Sequence, residues 1–110
     1  MASFEYFRPV SLNEALSLLQ KHGEGAVPVA GATDVWVNLR SKKLQPKALV
    51  SLRAIEDVLV LGRDATSFVV GAATPHAALE DSDWVGAFFP ALRQACGSVG
   101  SRQVRNVGTV

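Results

Sequence analysis

Between Val27 and Asp34 the apolar run Val27-Pro28-Val29 meets the small-residue bend Ala30-Gly31-Ala32-Thr33-Asp34. No other segment constrains the fold as strongly. The run reads as a strand over Ala26–Ala30. The bend lacks bulky side chains, so its backbone N–H groups are free to approach a phosphate closely. Gly31 is expected to take a positive φ, with the amides after it facing outward at a helix start that favours anions. A plain strand-to-helix turn uses the same residue types. The bend contains neither G-x-G-x-x-G nor G-K-[ST], so local chemistry leaves both readings open.

The chain has 110 residues, of which 48% are hydrophobic, enough for one modest core. Eleven Lys and Arg oppose ten Asp and Glu, and the net charge of +1 gives no global pull toward nucleic acid or acidic membrane. The single cysteine, Cys96, rules out an internal disulfide and suits a reducing, cytoplasmic setting. No run approaches the roughly 18 apolar residues of a membrane-spanning helix, so no membrane span is expected.

The elements follow from local signals. Phe4–Phe7 reads as a short edge strand closed by Pro9. Ser11 and Glu14 form a capping box for a helix whose apolar face is Leu12, Ala15, Leu16 and Leu19, with Gly23 as its left-handed cap. Val35, Trp36 and Leu39 fit a helix starting at Thr33 or Asp34, both good N-cap residues. Ala48–Leu52 reads as a strand. Val58–Leu61 and Ser67–Ala73 read as a hairpin around Gly62–Thr66. Pro75–Glu80 is expected to be helical, with Thr74 as N-cap and Pro75 first in the helix. A last helix opens at Pro90 and carries Leu92, Ala95, Cys96 and Val99 on one face. Gly97 to Val110 reads as a polar, flexible run that either contacts phosphate or is an ordinary surface loop. The expected class is α+β in two small lobes, residues 1–55 and 56–110.

Other chemistries find little support. His22, His76 and Cys96 have no metal-ligand spacing. Cys96 reads as a buried small hydrophobe. Glu80, Asp81 and Asp83 read as a solvated helix end. Arg40, Lys42, Lys43, Lys47 and Arg53 lack the interleaved aromatics of a nucleic-acid surface. No bond-making side chain stands out, so any catalysis would need a cofactor.

Six segments in order carry a family resemblance: Phe7 to Leu16, Ala30 to Asp34, Pro46 to Leu52, Val70 to Thr74, Phe89 to Leu92 and Arg102 to Val110. Together they resemble the N-terminal portion of the FAD-binding subunit of molybdenum hydroxylases, the xanthine and carbon monoxide dehydrogenase type. The resemblance implies a shortened FAD-binding fold of the vanillyl-alcohol oxidase and p-cresol methylhydroxylase type. Two loops grip the FAD pyrophosphate in that fold. The first maps onto Val29, Ala30, Gly31, Ala32, Thr33, Asp34, Val35 and Trp36, with Ala32 where many members have a second glycine. The second begins at Thr109 and Val110 and continues in the family with Gly-Gly-Asn, beyond this sequence.

The resemblance further implies an oxidoreductase subunit with no catalytic side chain and no metal of its own. The molybdenum cofactor and [2Fe–2S] clusters would sit on partner subunits, a molybdopterin subunit and an iron–sulfur subunit. Electrons would pass through FAD to NAD or another acceptor. A non-catalytic scaffold that no longer binds FAD is the alternative, and association into an oligomer stays open. A β-branched residue at Gly31 is expected to weaken FAD binding more than folding.

Overall fold

The computed structural model describes residues 3–110. The first half is a three-stranded parallel sheet in the order β1-β3-β2, with β1 at Glu5–Phe7, β2 at Ala26–Val29 and β3 at Ala48–Ser51. Glu5 lies opposite Ala48, and Val29 opposite Ser51. Central β3 is buried at all four residues, as expected of a parallel strand covered on both faces. Side-chain alternation divides the work. Val50 faces helix α1, Leu12–His22, in a cluster with Ala15 and Ile55. Leu49 faces helix α2, Thr33–Arg40, in a cluster with Val29 and Leu39.

Helix α1 begins and ends where its sequence signals place it, but of its expected apolar face only Ala15 and Leu19 turn inward, joined by Leu18, while Leu12 and Leu16 are exposed. Ser11 Oγ accepts from the Glu14 amide at 3.1 Å, and the Glu14 carboxylate accepts from the Val10 amide at 3.1 Å. Gly23 ends the helix at φ 58° and ψ −137°. Its φ is positive as expected, but its ψ lies outside the left-handed helical region, in a conformation that favours glycine.

The second half is built on an antiparallel hairpin, β4 at Leu61–Arg63 and β5 at Phe68–Val70. Pairing is shorter than the sequence suggested, because Val58 belongs to a 3-10 turn over Glu56–Val58 that packs back on the first core. The hairpin bend is Asp64–Ser67. The Asp64 carboxylate accepts from the amides of Thr66 at 2.8 Å and Ser67 at 2.7 Å. These bonds, the Thr66 amide's foremost, lower its pKa from 3.8 to about 2. A lowered carboxylate pKa stabilises the fold above the unfolded value and loses that contribution as pH falls through the folded one. Amide exchange at Thr66 and Ser67 is therefore expected to rise between pH 3.8 and about 2. An Asp64→Asn variant should show no such step. An identical step in both proteins would refute the assignment.

Four helices pack beside the hairpin: α3 at His76–Glu80, α4 at Asp83–Phe88, α5 at Pro90–Gly97 and α6 at Arg102–Val107. Leu79, Val85 and Cys96 form their buried core, flanked by Phe68, Trp84 and Leu92. Several expectations change here. Pro75 is itself the N-cap of α3, and the buried Thr74 hydroxyl has no hydrogen-bond partner among the described residues. On α5, Leu92 and Cys96 turn inward, whereas Ala95 is exposed. Burial raises the Cys96 thiol pKa, reinforced by the nearby Glu80 charge. The stretch from Gly97 is not a flexible loop throughout, since α6 occupies Arg102–Val107 with Ser101 as its cap. Glu80 and Asp81 are not merely solvated, because both pair with Arg102.

Candidate functional site

The bend after β2 sits where the two halves meet. Gly31 has no positive φ; the left-handed residue is Ala32, at φ 61° and ψ 12°. Ala32 is also the N-cap of α2, and neither the Thr33 nor the Asp34 side chain caps the helix. This corrects two expectations and relocates the need for glycine. A Cβ built on Gly31 would overlap the Val107 carbonyl oxygen and stand 2.9 Å from Gly108 Cα. Gly31 is small so that the tail backbone can lie directly against it. The expectation that a β-branched residue here would mainly affect binding is therefore reversed, since the space it needs is already filled by main chain.

The bend leaves its amides open. The Trp36 N–H donates to the Ala32 carbonyl at 2.9 Å, the first bond of the helix. The N–H groups of Gly31, Ala32, Thr33, Asp34 and Val35 find no acceptor among the described residues. Unsatisfied donors at a helix start form an anion site when they converge on one concavity. They border a concavity of about 180 Å³ lined by Pro28 to Val35 and by Thr109. The Thr109 N–H likewise has no acceptor among the described residues.

The structure thus brings together most of the residues singled out from the sequence. Val29, Ala30, Gly31, Ala32 and Val35 line both this cradle and an adjoining, more apolar concavity of about 250 Å³. Thr33, Asp34 and Thr109 line the cradle only, and Trp36 lines only the apolar neighbour, with Tyr6 and Arg53. Asp34 carries an anionic side chain, so its use to an anion lies in its amide. Val110 lines neither concavity, and its N–H donates to the Thr74 carbonyl at 3.1 Å.

The sequence reading missed the elements that hold the second loop. The His76 N–H donates to the Gly108 carbonyl at 2.9 Å, and Pro75 bridges to Thr109. The clue lay in Arg102 and Arg105, three apart on one helical face and matched by the adjacent acids Glu80 and Asp81.

An alanine at left-handed φ costs about 1–2 kcal/mol relative to its preferred conformations. Glycine removes that strain but adds unfolded-state entropy worth about 0.4–1 kcal/mol. Ala32→Gly is therefore expected to raise the urea unfolding free energy by about 0.5–1 kcal/mol. A fall would show that Ala32 is not left-handed in solution.

Comparison with known proteins identifies the family. The sequence matches the family described as the FAD binding domain in molybdopterin dehydrogenase over residues 2–110. It is 36% identical over 108 residues to the carbon monoxide dehydrogenase medium chain of Afipia carboxidovorans, covering 98% of this chain and 38% of the relative. It is 27% identical over 113 residues to the nicotinate dehydrogenase FAD-subunit of Eubacterium barkeri, covering 100% of this chain and 38% of that one. The fold superposes on CO dehydrogenase from Oligotropha carboxidovorans with a TM-score of 0.94 at 36% identity, over 98% of this chain and 38% of the other. Quinoline 2-oxidoreductase from Pseudomonas putida 86 gives 0.92 at 28% identity, with the same coverages. The chain thus spans about two fifths of the length of the relatives it matches. A match running from residue 2 to residue 110, through both loops of the cradle, places this chain in the FAD-binding domain family of the molybdopterin dehydrogenases.

Proposed function

We propose that this chain holds the pyrophosphate of FAD with the amides of Gly31 to Val35 and of Thr109, as part of a molybdenum hydroxylase. The observation that carries the reading is the run of amides without acceptors among the described residues, bordering one small concavity. A diphosphate fits such a donor set better than a neutral ligand, because charge-assisted hydrogen bonds repay the exposed N–H groups most strongly. Val29, Ala30 and Ala32 add close backbone approach, and Trp36 contributes an aromatic wall in the adjoining apolar concavity. Val110 serves by anchoring the loop that carries Thr109.

When bound, the flavin supplies the redox chemistry. The protein's own contribution is orientation and electrostatics: a cradle of fixed dipoles. The larger assembly would supply a molybdopterin subunit and a [2Fe–2S] subunit, with NAD or another acceptor downstream of the flavin. Among the described residues, no helix is long and apolar enough to cross a membrane, which is compatible with a cytoplasmic enzyme.

Titration of flavin-free protein with FAD tests the proposal. Quenched flavin fluorescence and a yellow, flavin-retaining protein are expected, with ADP competing through the shared diphosphate. Protein that stays colourless with excess FAD would favour the scaffold alternative.

A further inference from the structure

The second loop of the cradle is fixed at two points by one short helix. At its start, α3 donates the His76 N–H to the Gly108 carbonyl at 2.9 Å. At its end, Glu80 Oε2 accepts from Arg105 Nε at 2.9 Å and from Arg102 Nη1 at 3.0 Å. Arg105 is the inner member, with a side chain only 15% exposed. Its Nη1 also donates to the carbonyls of Val99 at 3.3 Å and Gly100 at 3.1 Å, which fixes the chain entering α6. At the other end of α6, the Gly108 N–H donates to the Val104 carbonyl at 2.6 Å, and Gly108 rests against Gly31. Helix α6 is thus a short strut with Glu80 at its foot and the Gly108–Thr109 loop at its head.

We infer that Glu80 is a positioning residue for FAD binding: through Arg105 and α6 it sets where the Thr109 amide meets the cofactor. Glu80 takes no part in the concavity itself. The inference rests on the FAD reading given above. Its physical basis is that preorganised donors lose most of their value when displaced by about an ångström. The six residues of α6 bury none of their number fully, so helix packing alone does not hold the strut. The arginine–carboxylate contacts supply the missing constraint, charge-assisted and doubly engaged on one oxygen.

The test compares Glu80→Ala, Glu80→Gln and Leu92→Ala in the 110-residue protein, the last serving as a control for destabilisation of the same half. FAD affinity is measured by fluorescence at a temperature where each variant is fully folded. Glu80→Ala should raise the FAD Kd about tenfold or more, the weight of one hydrogen bond to a charged group. Glu80→Gln keeps an acceptor for Arg105 and should recover most of that loss, and Leu92→Ala should leave Kd within about twofold. Equal Kd for Glu80→Ala and the control would overturn the inference. A readout without flavin separates the two ideas. Glu80→Ala should speed amide exchange at His76 and Val110 at least about tenfold while leaving Val50 unchanged. If wild-type protein binds no FAD, the cofactor reading fails and the positioning claim is refuted with it, whereas faster exchange at those amides would still establish the strut. Unchanged exchange at His76 and Val110 defeats the strut whatever the flavin does.

Discussion

Gly31→Val is expected to lower stability by about 2–3 kcal/mol and FAD affinity at least about tenfold, in one variant and for one reason. The space beyond the Gly31 Cα is occupied by the Val107 carbonyl and, at 2.9 Å, by Gly108 Cα. Both obstacles are backbone, so no side chain can rotate away. The variant must either separate the first bend from the tail or shift α6, and each route moves Thr109 away from the amides of Gly31 to Val35. Even Gly31→Ala carries the offending Cβ and should show the same pair of losses in smaller measure. Urea denaturation and FAD titration of both variants read the two quantities. A Gly31→Val protein as stable as wild type would mean that the two loops do not touch in solution.

The legible parts of this chain are those decided by neighbours in sequence. Helix α1 was readable because its cap residues Ser11 and Glu14 and its inward residues Ala15 and Leu19 sit within a few turns of one another, whereas Leu12 and Leu16 of the expected face lie exposed. Strand β3 was readable as an apolar run interrupted only by Ser51, because it is covered on both faces. The bend at Gly31 was correctly located but for the wrong reason. Its glycine answers to a carbonyl and a glycine near the other end of the chain, and no local rule carries that information. Ala32 hid the true left-handed position, since alanine gives no sign of positive φ. Helix α6 escaped because Val104 and Val107 alone make no periodic face. Its order comes from Arg102 and Arg105 meeting Glu80 on a different helix, a tertiary pairing that a scan along the sequence reads as a flexible polar run and a solvated helix end.

Leu79→Ala is expected to cost about 2–5 kcal/mol and to be felt in one half of the molecule only. Leu79 is 0% exposed and sits with Val85 and Cys96, whereas the clusters around Val50 and Leu49 contain none of these residues. A loss of that size is a large part of the roughly 5–15 kcal/mol that holds a domain folded. The tryptophans make the division measurable. Trp84 packs edge-on to Phe68 at 5.1 Å in the second core, so in a Trp36→Phe background its emission reports that half alone. Its unfolding midpoint should fall sharply in Leu79→Ala, while exchange at the β3 amides of Ala48, Leu49 and Val50 stays close to wild type. We propose on this basis that residues 1–55 and 56–110 are separate stability units, joined where Val58 crosses to pack on the first core and where Gly31 meets the backbone of Val107 and Gly108. Equal acceleration of β3 exchange in Leu79→Ala would make the chain a single cooperative unit. The cradle would then be a fixed groove in one body rather than a contact between two that closes as they dock.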